Sequence, residues 1–277
     1  MTNLRILNLG GGVGSAPIVG MQLDSEVKYD AAIFADTQDE PAWVYQQILW
    51  LEKQVADRGG APIIRVTGGD LMGQLRQGKN RDGGRFISIP AFTKLDDGSV
   101  SMIRRQCTRE YKIEPVTNYI RREMLGLAKG QKTPKDVVVT QLFGFSVDEA
   151  GRAARMRGHE RKQWKFEFPL LDEGMRKGEC RTYMKKWCTE FEWRWSSCRS
   201  CPFHSDIQWR EIKENSPDDF EAACRTDDEL RVNGNVRNRN MDAQMFLHRS
   251  CKPLREVSFS RGQGELFDII CDGGCNS

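Results

Sequence analysis

Leu4-Arg5-Ile6-Leu7-Asn8-Leu9, followed at once by Gly10-Gly11-Gly12-Val13-Gly14-Ser15, is the stretch that decides the fold. The first half is a short apolar run of the kind that forms a buried strand. The second half turns the chain without side chains in the way. Pro17 then stands where the first turn of a helix tolerates it. A strand, a glycine turn and a helix in that order bring backbone N–H groups close to a phosphate, and the helix dipole favours the anion. The stretch is not G-x-x-x-x-G-K-[ST], because no lysine follows, and it lacks the last glycine of G-x-G-x-x-G.

Working outward, Ala31-Ala32-Ile33-Phe34-Ala35 reads as a second strand, Ile63-Ile64-Arg65-Val66 as a third and Val137-Val138-Val139-Thr140 as a fourth. Pro41 opens a helix whose Trp43, Ile48, Leu51 and Val55 recur near helical spacing. A hairpin is expected around Asp96-Asp97-Gly98 and a helix from Arg109 to Leu127. Strands alternating with helices predict an α/β fold: a mostly parallel sheet of about five strands with flanking helices. After Phe168 the pattern becomes helical and rich in cysteine, so the chain divides into an α/β region, 1–170, and a helical, Cys-rich region with a C-terminal tail, 171–277.

With 277 residues, 39% hydrophobic, the chain can bury a core, and 29% charged residues with a net charge of only +3 argue against a protein that merely coats nucleic acid. No apolar run reaches the length of a membrane span, and MTNLRILNLGGG has no signal-peptide pattern. The expectation is a cytoplasmic protein without a membrane partner. There, nine cysteines read as metal ligands or redox groups rather than disulfides. Cys224 and Cys251 stand alone and read as buried packing residues.

Asp36, Thr37 and Glu40 follow the second strand, where parallel sheets bind ligands, and Asp39 is a candidate N-cap for the helix from Pro41. Cys198-Arg199-Ser200-Cys201 has the spacing with which two thiolates grip one metal or one edge of a cluster. A redox pair is its metal-free alternative. Arg152, Arg155, Arg157, His159, Arg161, Lys162 and Lys165 form either a solvated helix face or a rim for phosphate, sulfate or nucleic acid. Trp187, Trp193 and Trp195 either stack bases or pack a core.

In this order the pieces resemble the phosphoadenylyl-sulfate and adenylyl-sulfate reductases of the adenine nucleotide α-hydrolase fold, in a reductase-like branch common in phage and bacterial genomes. Gly10–Ser15 stands for the family's SGGxDS loop, and Asp36-Thr37-Gln38-Asp39-Glu40-Pro41 for its DTG-x-E-x-P segment. Cys107-Thr108-Arg109-Glu110-Tyr111-Lys112-Ile113-Glu114-Pro115-Val116 stands for its cysteine and K-V-E-P-L stretch. Cys198-x-x-Cys201 matches a later CxxC, and Cys271 and Cys275 fall in the tail. Three departures stand out. Gly14 replaces the loop's acidic residue, one cysteine rather than two adjacent ones precedes the basic stretch, and the tail reads Cys-Asp-Gly-Gly-Cys.

The resemblance implies an adenine nucleotide held by Gly10, Gly11, Gly12, Gly14, Ser15, Asp36, Thr37 and Glu40, with Arg109 and Lys112 on its anionic group. It implies a [4Fe–4S] cluster on Cys107, Cys198, Cys201 and a fourth cysteine, Cys180 ahead of Cys188, with zinc the alternative metal. Cys275 would attack sulfur and Cys271 resolve the intermediate, reducing adenylyl sulfate or its 3′-phospho form with a thiol reductant such as thioredoxin. Two other readings remain: an ATP-dependent sulfurtransferase thiolating DNA or tRNA, and a zinc-stapled, non-catalytic binding module.

Overall fold

A computed structural model describes residues 2–79, 89–232 and 243–259. Strands β1 (Thr2–Leu9), β2 (Ala31–Asp36) and β3 (Ile63–Thr67) alternate with helices α1 (Ala16–Leu23), α2 (Ala42–Arg58) and α3 (Leu71–Arg76). A hairpin of β4 (Phe92–Lys94) and β5 (Val100–Met102) follows, then a helical stretch from Thr108 to Met124 whose middle is α4 (Glu114–Tyr119). Next come β6 (Val137–Phe143), α5 (Ala150–Arg157), β7 (Trp164–Glu167), α6 (Pro169–Asp172) and α7 (Lys177–Trp187). Helices α8 (Asp206–Asn215) and α9 (Pro217–Val232) and strand β8 (Gln244–Phe246) complete the described chain.

The expected α/β class is what the chain adopts. Five strands pair in the order β3-β2-β1-β6-β7, all parallel. Strand β1 is central because Ile6, Leu7 and Leu9 can be buried on both faces. Its neighbours lead away in opposite directions, so the sheet reverses its order between β1 and β6, the place where open α/β sheets bind ligands. A small antiparallel sheet, β5-β4-β8, joins the Asp96-Asp97-Gly98 hairpin to the region after residue 240.

The core does not break at residue 170. One apolar cluster runs from Leu7, Ile18 and Trp43 to Trp193, Trp209 and Leu254. The charged stretch after Ser205 forms two helices, α8 and α9, separated at Ser216, whose hydroxyl donates to Asp219 in the first turn of α9. Among the described residues no helix is long and apolar enough to cross a membrane.

Candidate functional site

A cleft of about 750 Å³ opens at the carboxyl ends of β1 and β6, where the sheet reverses its order. The glycine turn forms its floor. Ser15 Oγ accepts from Gly10 N–H at 2.8 Å and its N–H returns to Gly12 O, closing the turn ahead of α1. The N–H groups of Gly12, Val13 and Gly14 donate to no other described residue, which leaves them for an anion. Gly11 has φ +78°, a conformation glycine adopts without strain.

The turn is held by a residue the sequence reading did not single out. Gln47, fully buried on α2, donates to Gly11 O at 2.5 Å and accepts from Arg194 N–H at 2.7 Å. Trp43 Nε1 donates to Trp195 O at 3.0 Å. Together they press the Arg194–Ser197 strand of chain onto the glycine turn. A Cβ on Gly12 would lie 2.6 Å from Ser196 N, so its lack of a side chain first serves this contact. A glutamine on the otherwise apolar face formed by Trp43, Val44, Ile48 and Leu51 was the available signal.

Cations line both walls. Arg105, Arg109 and Lys112 face the cleft from one side, and Arg152, Arg155, Lys177 and Arg181 from the other. Arg109 is exposed and paired with Glu114 at 2.9 Å. Arg152 lies 4.3 Å over the Phe145 ring and is ion-paired with Glu149. Of the basic run read as either a solvated face or a rim, Arg152, Arg155 and His159 reach the cleft; Lys177 and Arg181 come from α7 and were not anticipated.

Asp36, Thr37 and Glu40 do not line this cleft. Asp36 accepts from Tyr45 Oη at 2.9 Å and Gln38 N–H at 2.7 Å. Thr37 and Glu40 are buried beside a thiol instead: Cys198 Sγ lies 3.2 Å from Thr37 Oγ1 and donates to Glu40 Oε1 at 3.7 Å. Lys112 Nζ bonds the same carboxylate oxygen at 3.1 Å, while Glu40 Oε2 is buried without a partner. Burial pushes the Cys198 thiol well above its ordinary range, Glu40 adds to the shift and Lys112 opposes it. Lys112 therefore belongs to both places, one side on the cleft and its ammonium on the thiol's carboxylate.

Asp39 is not a helix cap: Pro41 precedes α2, and the first helical N–H, of Ala42, donates to Asp219 instead. Asp39 clamps the CxxC turn. Its carboxylate takes Arg199 Nε at 2.8 Å and Ser200 N–H at 3.2 Å, and its carbonyl takes Arg199 N–H at 2.7 Å. His204 holds the same turn from behind, donating Nε2–H to Cys198 O at 2.8 Å between the rings of Trp195 and Trp209.

Cys107 is close enough to Cys198 to influence its charge, and Cys201 N–H closes the turn on Cys198 O at 3.0 Å. Cys180 lies buried on α7 with Glu179, Asp148 and Glu149 as charged neighbours, and it lines the far wall of the cleft. Cys188 ends α7 with its thiol toward Phe191 O. Among the described residues no three metal-capable side chains form one group, so the cysteines named for a cluster do not stand as a ready-made four-ligand cage. Cys271 and Cys275 lie outside the described residues.

Trp187 and Trp193 pack in an aromatic cluster, while Trp195 both packs and lines the cleft. Trp187, Trp193 and Phe191 surround Trp50, and Trp195 meets Trp43 edge-on at 5.1 Å. No family model matches the chain, and neither a curated protein nor a solved structure matches it significantly.

Proposed function

We propose that the chain is an adenine-nucleotide-binding enzyme of the phosphoadenylyl-sulfate reductase type. The observation that carries this reading is the cleft where the sheet reverses its order. Unbonded loop amides and facing arginines and lysines there make a site for a phosphate- or sulfate-bearing nucleotide.

In this reading the glycine turn holds the nucleotide phosphate, and Arg109 and Lys112 exchange their Glu114 and Glu40 partners for the transferred group and neutralise it. The Cys275 thiolate attacks the sulfur of adenylyl sulfate or its 3′-phospho form. The S–O bond breaks, the adenosine phosphate leaves with the electron pair, and an S-sulfocysteine remains. The Cys271 thiolate then attacks the Cys275 sulfur and expels sulfite, leaving a disulfide that a dithiol such as thioredoxin reduces. Cys107, Cys198 and Cys201 are the thiols assigned to a metal centre, a [4Fe–4S] cluster or zinc. The test is sulfite release from adenylyl sulfate, and from its 3′-phospho form, in the presence of a dithiol. Release abolished by Cys275→Ser supports the assignment, and release unchanged in that variant removes it.

The second wall of cations favours one other reading, a sulfurtransferase acting on nucleic acid. That enzyme would retard DNA or RNA in a salt-dependent way.

A further inference from the structure

Glu40 carries an atom that the fold leaves unexplained. Its side chain is 1% exposed, and its two oxygens are treated differently. Oε1 accepts from Thr37 Oγ1 at 3.3 Å, from Lys112 Nζ at 3.1 Å and from the Cys198 thiol at 3.7 Å. Oε2 is buried without a hydrogen-bond partner. A bare carboxylate oxygen in a buried place is costly, and native chains rarely keep one unless something binds it.

The cysteines have a matching gap. A closed metal centre takes four donors. Cys198 and Cys201 share one turn, and Cys107 is close enough to bear on the charge of Cys198. The other described cysteines stand elsewhere. Cys180 lies among Glu179, Asp148 and Glu149, and Cys188 points its thiol at Phe191 O. Cys224 has Arg255, Glu221 and Asp227 as charged neighbours, and Cys251 has Lys94. The Nδ1 of His204 is also buried without a partner, but no described thiol bonds it, and its ring is held between Trp195 and Trp209.

We propose that Glu40 completes the centre, binding the ion through Oε2 beside the Cys198 thiolate, with Cys107 and Cys201 as the other donors, and that the ion is zinc. This rests on the reading of those three cysteines as metal ligands and names what joins them. Zinc accepts carboxylate oxygen beside thiolate sulfur, whereas iron–sulfur clusters are held by thiolates. Cys198 and Glu40 already stand in contact. Cys107 and Cys201 have to close on them, since among the described residues no three such side chains form one group. The thiol protons leave to solvent as the ion binds. Thr37 and Lys112 hold Oε1, as outer partners that orient a ligating carboxylate. The ion also explains how Lys112 can leave Glu40 for an anion in the cleft, because the buried carboxylate then keeps a positive partner.

The experiment measures metal on the full chain. Zinc, iron and acid-labile sulfide are counted in anaerobically purified protein, and Co²⁺ is then exchanged for the zinc, because its absorption reports how many thiolates bind it. Zinc without sulfide is expected, with a Co²⁺ spectrum of mixed sulfur and oxygen donors. Glu40→Gln is nearly isosteric. It should weaken Zn²⁺ binding by about tenfold or more, since even outer partners of a metal site are worth about 10- to 100-fold. Glu40→Cys should keep the ion and strengthen the thiolate-to-cobalt charge-transfer band, which would not change if the carboxylate only supported the fold. A Glu40→Cys spectrum equal to the parent's, or undiminished Zn²⁺ affinity in Glu40→Gln, would overturn Glu40 as a ligand. Metal still lost in Cys198→Ser would then leave the thiol centre standing without it. Iron with acid-labile sulfide would overturn the donor set. A parent chain that takes up neither Zn²⁺ nor Co²⁺ would remove the centre and this proposal together.

Discussion

Gly14 and Gly144 meet backbone to backbone at the point where the sheet reverses its order: a Cβ on Gly144 would overlap the Gly14 carbonyl, and one on Gly14 would press on Gly144 O. The turns after β1 and β6 are thereby packed as one unit. A carboxylate side chain at residue 14 is thus opposed sterically by the adjoining turn after β6. Gly144→Ala and Gly14→Asp are each expected to cost about 1–3 kcal/mol, the usual penalty of overpacking. Denaturant unfolding checks this. A Gly14→Asp variant as stable as the parent would show that the two turns are free to separate.

Gln47 makes a second link of the same kind. Replacing it by Leu leaves Gly11 O and Arg194 N–H without their partner in a buried place, at about 1–3 kcal/mol. The glycine turn should loosen with it, so ADP affinity is expected to fall in Gln47→Leu and in Gly12→Val alike. Gly12→Val acts by displacing Ser196. Measured affinity equal to the parent's in both variants would detach the turn from the ligand.

Stability should depend on pH through His248. It is buried, Ser250 N–H donates to its Nδ1 at 3.1 Å, and its Nε2 faces Asp206 at 3.2 Å. That arrangement fixes the neutral ring. Burial holds the imidazole below its ordinary value of 6.5; the hydrogen bond to Asp206 and the charge of Asp227 work against this, while Arg249 reinforces it. The unfolded chain takes up a proton near the ordinary value while the folded chain does not. The stabilisation is therefore complete above that value and lost as pH falls toward the lowered one. Unfolding free energies measured from about pH 7 to about pH 5 should decline, and less steeply in His248→Gln. Identical slopes would remove His248 from the account.

Much of this fold was legible because apolar runs carry their own signal. The strands beginning at Leu4, Ala31, Ile63 and Val137 were each long and apolar enough to be read, and the structure extends each by a residue or more. Strand β7 was hidden, because Trp164–Glu167 lies in a run of lysine and arginine and forms an edge strand that is nowhere fully buried. Strand β8 exists only through its pairing with β4, distant in sequence. The site divides the same way. The glycine turn could be read locally, but Gly144, Gln47, Lys177 and Arg181 enter it only through the tertiary arrangement. Asp39 looked like a cap because capping is the local use of an aspartate, while Arg199 and Ser200 that claim it arrive from the far end of the chain.

The cysteines give the sharpest remaining prediction. Cys198 is a buried thiol facing a carboxylate, which favours its protonated form. A bound cation would reverse this by stabilising the thiolate, and its binding energy would then appear as folding stability. Anaerobically prepared protein is therefore expected to contain iron and acid-labile sulfide, or else zinc, and to lose metal and thermal stability in Cys107→Ser, Cys198→Ser and Cys201→Ser. The loss should be greatest in the segment clamped by Asp39 and His204, which hydrogen exchange can resolve. Cys180 is the discriminating control. It lies among Glu179, Asp148 and Glu149 on the far wall of the cleft, so Cys180→Ser should keep its metal as the chain is arranged here. Metal lost from that variant would mean that α7 moves to complete the centre. Metal retained in all four variants would show that these thiols hold none.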